Sequence, residues 1–572
     1  MIVEIKKQIT NILKKAGVKG EIELTTPPDP KMGDFSFACF DLAKKNGSNP
    51  KEAAGELLRK IKRLKDYKII DEVKAVGPYV NFYLNPAELA KLVLKEINQD
   101  FGKHKIGKGK KYLVEFGCPN PLKAFHLGHL KNLVTGEAIA RILENAGYKI
   151  IRINYQGDVG MHVAKSLWGI FDWLERFEKM KKEKDIRQRV EFLGQAYAHG
   201  AQHFEESEAG KAEIYEYNDK VYNQAPEIQA VYKTARRWSL AYFDQIYKKL
   251  GSSFDRLYFE SEVTKRGVDL VNQFKAKGVF KESDGAIIYE GSKYGLHDRV
   301  FVNSKGFPTY EAKDLALAEK HFADFQPDLV LHVVGKEQAD YFKVLINALE
   351  KVLSKSKGKE YHLPGGFLQL KGQQKMSSRT GNIITGDALV DFIEKRVGEI
   401  MKEAGVKDKA GVQNKVSVAA LKYALLKVEA TKDVAFDFEE SVSLTGDSGP
   451  YLLYIVARIK SILRKAKQVT RSKGFQISDF RFQIASEEKQ LLLQLAKYPE
   501  VTQTAAEQYD PSKIAKYLFD LAQLFNTFYH ACPVLQAEEE EVRAFRLKLI
   551  GMVAQVMEKG LNLLGIEVVE EM

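Results

Sequence analysis

At 572 residues the chain is longer than a single hydrophobic core usually holds, so about three domains are expected. Its composition, 45% hydrophobic and 29% charged, fits an ordinary globular protein, and no apolar run approaches the ~20 residues that a membrane span needs. Lys and Arg outnumber Asp and Glu by 88 to 76, a formal net charge of +12 that favours a polyanionic partner, although a mild basic excess also serves solubility.

Residues 1–17 carry Glu4 inside an amphipathic pattern, which predicts a folded first helix rather than a secretory segment. Cys39, Cys118 and Cys532 lie far apart and form no Cys-x-x-Cys pair. A disulfide framework and structural zinc are therefore not expected, and a reducing cytosol fits best. Residues 102–111, rich in Gly and Lys with Ile106 as the one apolar residue, predict a solvated connector that closes an N-terminal unit, 1–101. Residues 112–116 read as a buried strand. A helix follows over 129–146, with Leu130, Val134, Ala138, Ile142 and Ala146 on one face and Gly147 closing it. Residues 150–155 return as a second strand, which opens a right-handed βαβ crossover. From 161 to about 260 the chain is helical, charged and aromatic, as expected of an insertion between sheet halves. Sheet-like runs resume near Ile287 and Val300, at 328–334 and at 366–371; after 446 the pattern is helical almost to the end.

Two short clusters, about 250 residues apart, carry the chemistry. The first is Cys118-Pro119-Asn120-Pro121-Leu122-Lys123-Ala124-Phe125-His126-Leu127-Gly128-His129. The second is Lys375-Met376-Ser377-Ser378-Arg379-Thr380-Gly381-Asn382. Each follows an apolar run, which predicts both at the carboxyl edge of one parallel sheet, where α/β folds bind nucleotides. Two histidines at the mouth of a helix can approach a phosphate with help from the helix dipole and its free N–H groups, and Gly128 lets a ligand come close to the backbone. A His pair that merely caps the helix, or that shares a metal, remains open on spacing alone. The second cluster read alone is a basic surface loop.

Together the clusters resemble the two ATP-handling motifs of class I aminoacyl-tRNA synthetases, and the surrounding residues resemble arginyl-tRNA synthetases. The family's first motif, His-apolar-Gly-His, is intact as His126, Leu127, Gly128 and His129. Its second, Lys-Met-Ser-Lys-Ser, matches at Lys375, Met376 and Ser377, but Ser378 stands where the second lysine belongs. Members without that lysine often carry a compensating one just upstream of the first histidine, the place of Lys123 here. The resemblance implies catalysis by His126, His129, Lys123 and Lys375, and ATP contacts from Pro119, Gly128, Met376, Ser377, Ser378 and Arg379. It further implies arginine contacts from Glu115, Asn120, Tyr310, Asp314 and Gln338. Carboxylates suit a guanidinium, which offers five N–H donors in a planar fork. The resemblance also implies tRNA contacts from Asn81, Phe82 and Tyr451.

The implied fold is an α/β catalytic domain, a Rossmann-like parallel sheet over 112–385 with its helical insertion at about 161–260. It is preceded by an α+β tRNA-elbow-binding domain (1–101) and the linker 102–111, and followed by a connecting helical region (386–445) and an all-α anticodon-binding bundle (446–572). The implied reaction joins L-arginine to tRNA(Arg) at the cost of ATP, with Mg²⁺ accompanying the ATP, no zinc and no other metal ligand. A monomer in the cytoplasm, without a membrane partner, is expected. A class I synthetase for another amino acid, a catalytically silent tRNA-binding relative and a nucleotidylyltransferase are the rival readings.

Overall fold

The computed structural model describes residues 1–64, 67–371, 385–403, 411–469 and 482–572. The first helix, Ile2–Lys15, places Ile2, Ile5, Ile9 and Ile12 on one buried stripe. That stripe packs with an antiparallel sheet in which β3 (Tyr79–Leu84) lies between β1 (Phe35–Ala38) and β2 (Ile70–Val76). Along β3 the side chains alternate, so Val80, Phe82 and Leu84 enter the core while Tyr79, Asn81 and Tyr83 take the other face. This unit is tied to the C-terminal helices by Lys6–Glu500 at 2.7 Å and Lys489–Asp34 at 2.8 Å.

The stretch 102–111 exposes Lys103, Lys105, Lys108 and Lys110 as its composition suggests, but it is also anchored at several points. His104, Gly107 and Gly109 donate backbone hydrogen bonds to Asn145, Ala146 and Gly147, and His104 Nε2 lies 2.9 Å from Thr502 Oγ1. A Cβ on Gly102 would sit 2.3 Å from the Tyr498 ring, and one on Gly107 2.5 Å from the Tyr148 backbone. The glycines serve close approach rather than freedom.

The central sheet is parallel, in the order β11 (Glu360–Gly365), β10 (Leu329–Gly335), β4 (Lys111–Phe116), β5 (Lys149–Gln156), β6 (Arg256–Phe259). The crossover from β4 to β5 is the helix Leu127–Asn145, buried nearly all round, with Gly147 beyond its end in a left-handed conformation (φ 89°). Val114, Phe116, Leu331 and Val333 face this helix, whereas Leu113, Val330 and Val334 face the helices Tyr310–Asp324 and Ala339–Val352. Because the chain leaves β4 toward β5 on one side and returns to β10 on the other, the carboxyl ends of β4 and β10 form a topological switch point.

Between β5 and β6 stand five helices, from Met161–Asp172 to Pro226–Lys249, as the insertion pattern predicts. A small antiparallel sheet of β7 (Lys281–Ser283), β8 (Ala286–Tyr289) and β9 (Arg299–Val302) precedes the helix Tyr310–Asp324. The expected strand at 366–371 shortens to β12 (Leu368–Leu370), which leaves the central sheet and pairs instead with β13 (Val434–Phe436). The chain therefore enters the second cluster from a two-stranded ribbon rather than from the central sheet's edge. The remainder is helical, with Gly449–Val469, Ser486–Glu507, Ser512–Ala531 and Glu540–Leu563 packed together.

Candidate active site

At the end of β4 the chain turns through left-handed conformations at Gly117 (φ 84°), Cys118 (φ 47°) and Leu122 (φ 63°). Non-glycine residues adopt these only when their surroundings hold them there. Here the insertion does so: the Leu122 N–H donates to Ser239 Oγ and its carbonyl accepts from Ser166 Oγ, both at 2.9 Å. Pro119 is buried in this turn, and Asn120 Oδ1 accepts from the Gly157 N–H at the end of β5 (3.0 Å). The Asn120 amide nitrogen thus keeps its donors for a ligand.

His126 caps the helix Leu127–Asn145. Its Nδ1 accepts from the N–H groups of Gly128 (3.1 Å) and His129 (3.4 Å), while His129 Nδ1 accepts from the His126 N–H (3.3 Å). The two rings stack with centroids 3.5 Å apart. With both Nδ1 atoms used as acceptors, each neutral imidazole must carry its proton on Nε2, which makes the pair two N–H donors. Burial, and then the nearby Lys123 ammonium, pushes His126 down to about 4; burial and His126 hold His129 well below the ordinary imidazole range. Burial also lowers Lys123, whose Nζ lies 5.6 Å from the centre of the Tyr197 ring in the insertion. A Cβ on Gly128 would come within 3.0 Å of the His126 ring, so this glycine makes room for the histidine.

Lys375, Met376, Ser377, Ser378 and Arg379 lie outside the described residues. The chain on their C-terminal side does meet the first cluster. Thr385 bridges to His126, and the Gly386 N–H donates to the Phe125 carbonyl at 2.7 Å.

The switch point carries acids on the face opposite the helix Leu127–Asn145. Glu115, 4% exposed, is in register with His332 of β10, whose Nδ1 stands 3.2 Å from Glu115 Oε1. Asp314 accepts from the Tyr341 hydroxyl; burial, opposed by that hydrogen bond and reinforced by Glu115 and Glu260, pushes it up to about 7. Tyr310, one turn before Asp314, is 60% exposed, with the Lys313 ammonium 4.5 Å from its ring centre. Gln338 closes the short turn after β10 and is exposed. Glu115 Oε2 and the Tyr155 hydroxyl are buried without a hydrogen-bond partner among the described residues, which leaves an acceptor and a hydroxyl unanswered where a ligand would enter.

The three expected tRNA contacts are placed differently. Phe82 is fully buried in the N-terminal core and is not available to stack on a base. Asn81 is 3% exposed, its Oδ1 taken by Ser36 Oγ at 2.7 Å, and Tyr451 is 5% exposed with its hydroxyl accepting from Asn526 at 2.7 Å. Strand alternation turns Phe82 and helix packing turns Tyr451 into the core, while Asn81, on the other face of β3, is covered by its bond to Ser36. The exposed aromatic pair on the N-terminal unit is Phe40 with Tyr79.

Several residues beside these were not singled out from sequence. Asp158, fully buried, pairs with Arg236 (3.0 Å) and accepts from Ser261, locking the end of β5 to two helices. Glu260 and Lys313 form a buried ion pair behind Tyr310. A Cβ on Gly157 would lie 2.9 Å from Asn120 Oδ1. Their signal was position alone: Gly157, Asp158 and Glu260 stand at the carboxyl ends of parallel strands.

Comparison with known proteins shows the family. The family described as tRNA synthetases class I (R), catalytic domain, matches residues 90–438; the DALR anticodon binding domain matches 452–572, and the arginyl tRNA synthetase N terminal domain matches 3–84. The arginine–tRNA ligase of Treponema denticola is 33% identical, covering 96% of this chain and 95% of its own; that of Clostridium perfringens is 31% identical over the same shares. The solved arginyl-tRNA synthetase of Thermus thermophilus superposes with a TM-score of 0.78 at 26% identity, over 100% of this chain and 99% of that one. With a family match over more than half its length and relatives above 30% identity, the chain belongs to the arginyl-tRNA synthetases of class I.

Proposed function

We propose that the chain activates L-arginine with ATP to arginyl-adenylate, then passes the arginyl group to the 3′-terminal adenosine of tRNA(Arg), releasing pyrophosphate and then AMP. The observation that carries this reading is the pairing, at one sheet edge, of a neutral two-donor imidazole stack with a buried acidic pocket. In the first step the arginine carboxylate attacks the α-phosphate. Negative charge builds on the phosphates, where Nε2–H of His126 and of His129 and the Lys123 ammonium meet it. Lys375 and Arg379 are assigned to the same triphosphate, with Pro119, Gly128, Met376, Ser377 and Ser378 around the nucleotide. Mg²⁺ arrives on the ATP phosphates as part of the substrate.

Glu115 Oε2 and the Asp314 carboxylate take the guanidinium; the free amide donors of Asn120 suit the α-carboxylate, with Tyr310 and Gln338 closing the pocket. The protein forms no covalent bond with its substrates in this scheme, so positioning supplies most of the acceleration. Residues 1–101 and 446–572 serve the tRNA, with 102–111 as the joint and 386–445 as the helical link to the catalytic part, 112–385. The working form is a monomer in the cytoplasm. Arginine-dependent exchange of pyrophosphate into ATP tests the reading, run with and without tRNA(Arg) and against the other amino acids. Exchange with arginine, and only with tRNA present, is expected; exchange with another amino acid instead would overturn the pocket assignment.

A further inference from the structure

The face of the sheet that holds Glu115 is apolar along β10 and at Leu113 of β4 except at one layer. There Glu115, His332 and His362 stand side by side in register on β4, β10 and β11, with Glu360 two residues back on β11. His332 is 8% exposed, with its Nδ1 3.2 Å from Glu115 Oε1 and its Nε2 2.8 Å from Glu360 Oε2. Each of those carboxylates keeps its other oxygen, Glu115 Oε2 and Glu360 Oε1, buried without a hydrogen-bond partner among the described residues, and His332 Nδ1 meets Glu115 Oε1 as an ion-pair contact rather than as a well-aligned hydrogen bond. The Phe342 ring packs over both His332 (4.9 Å) and His362 (4.4 Å), so the imidazole is held in its plane.

We infer that His332, backed by Glu360, is a positioning residue for arginine selection: it occupies one oxygen of Glu115 and so presents the other, Oε2, as a fixed and ionised acceptor for the guanidinium. The inference rests on the reading that Glu115 receives arginine. Two carboxylates in one dry pocket tend to share a proton, which would make one of them a donor and a poor partner for a guanidinium. A cation between Glu115 and Glu360 prevents this for Glu115. His332 is held well above the ordinary imidazole range by the two carboxylates against the cost of burial, and Glu115 stays below the carboxylate range because His332 outweighs its own burial. The other titratable groups facing this layer are Asp314 and Glu360, which burial pushes up, Cys118 and Tyr155, which burial also pushes up, and His321 and His362, which burial keeps neutral. An imidazolium is thus the one charge that sets which carboxylate remains an acceptor. A wandering or protonated Glu115 would lose its second hydrogen bond to the planar fork of arginine while still tolerating an ammonium.

The test compares H332Q, E360Q and E115Q in pyrophosphate exchange with tRNA present, and follows the His332 imidazole by NMR in the full-length wild type, assigned by its loss in H332Q. Expected are a rise in KM for arginine of about tenfold in H332Q and about threefold in E360Q, with KM for ATP unchanged and the His332 ring protonated throughout pH 6 to 8. E115Q is expected to raise the arginine KM most. If E115Q loses arginine affinity but H332Q keeps it, or if the imidazole is neutral at pH 7, the inference is overturned while the pocket stands. If E115Q itself keeps wild-type arginine affinity, the underlying reading falls. The NMR signature decides even if H332Q fails to fold, since E360Q leaves the same resonance to be recognised by its shift.

Discussion

The two ends of the proposed site use histidine in opposite ways. At the proposed phosphate end, His126 and His129 cap a helix, stack on each other beside a lysine and remain neutral. At the proposed guanidinium end, His332 stands between two carboxylates and remains charged. Burial acts on all three; the neighbours decide the outcome. Neutral Nε2–H donors suit phosphates whose charge grows during the reaction, because they give hydrogen bonds without a strong ground-state ion pair that would bind substrate and transition state alike. A fixed carboxylate suits a substrate whose charge does not change. The difference between the ends predicts that they fail differently.

The largest effect is expected at the phosphate end. His126→Ala removes one donor and the helix cap, so the exchange rate at saturating arginine should fall by about 100- to 1,000-fold with little change in the arginine KM. At the other end, Glu115→Gln should raise the arginine KM by about 100-fold, ~2.7 kcal/mol, seen in the same assay as a shift of the saturation curve. Lys123→Ala should slow activation by about tenfold, and an unchanged rate would remove Lys123 from the phosphate end. A pH series from 6 to 8.5 gives a smaller but sharper contrast. Asp314, pushed up to about 7, must lose its proton to take a guanidinium, so the arginine KM should be flat above pH 7 and rise by about tenfold per unit below it. Glu115, held low, should not contribute to that slope.

The smallest effect is on stability. The folded state raises His332 from 6.5 to about 10, so its contribution is fully present below about pH 6.5 and is lost as pH rises toward 10. The melting-temperature gap between wild type and H332Q should therefore narrow by a few degrees between pH 6.5 and 10.

Much of this was legible in the sequence. The period of apolar residues placed β4, the crossover helix and β5, and the turn Pro119-Asn120-Pro121 before the histidines marked where the proposed phosphate end lies. The layout of the proposed guanidinium end was only half visible. Glu115 and Asp314 were expected, but His332 looked like a polar interruption in the strand Leu329–Gly335, and only the pairing register reveals that it opposes Glu115. Register is a long-range property, set by crossovers of many residues, and local pattern does not contain it. The same limit explains Phe82 and Tyr451, expected at a tRNA-facing surface, whose side chains face the interior instead. In the connector, Gly-rich composition suggested freedom, whereas Gly102 and Gly107 are required by contact with Tyr498 and Tyr148.

The most direct test of the two-ended account is one set of arginine titrations in pyrophosphate exchange, with tRNA present, for wild type, H126A, E115Q and the double variant. The account predicts that H126A lowers the maximal rate, that E115Q shifts the arginine KM, and that the double variant shows both losses, additive in free energy within about 0.5 kcal/mol. Losses that fall on the same parameter in both single variants, or a double variant no worse than one of them, would contradict it.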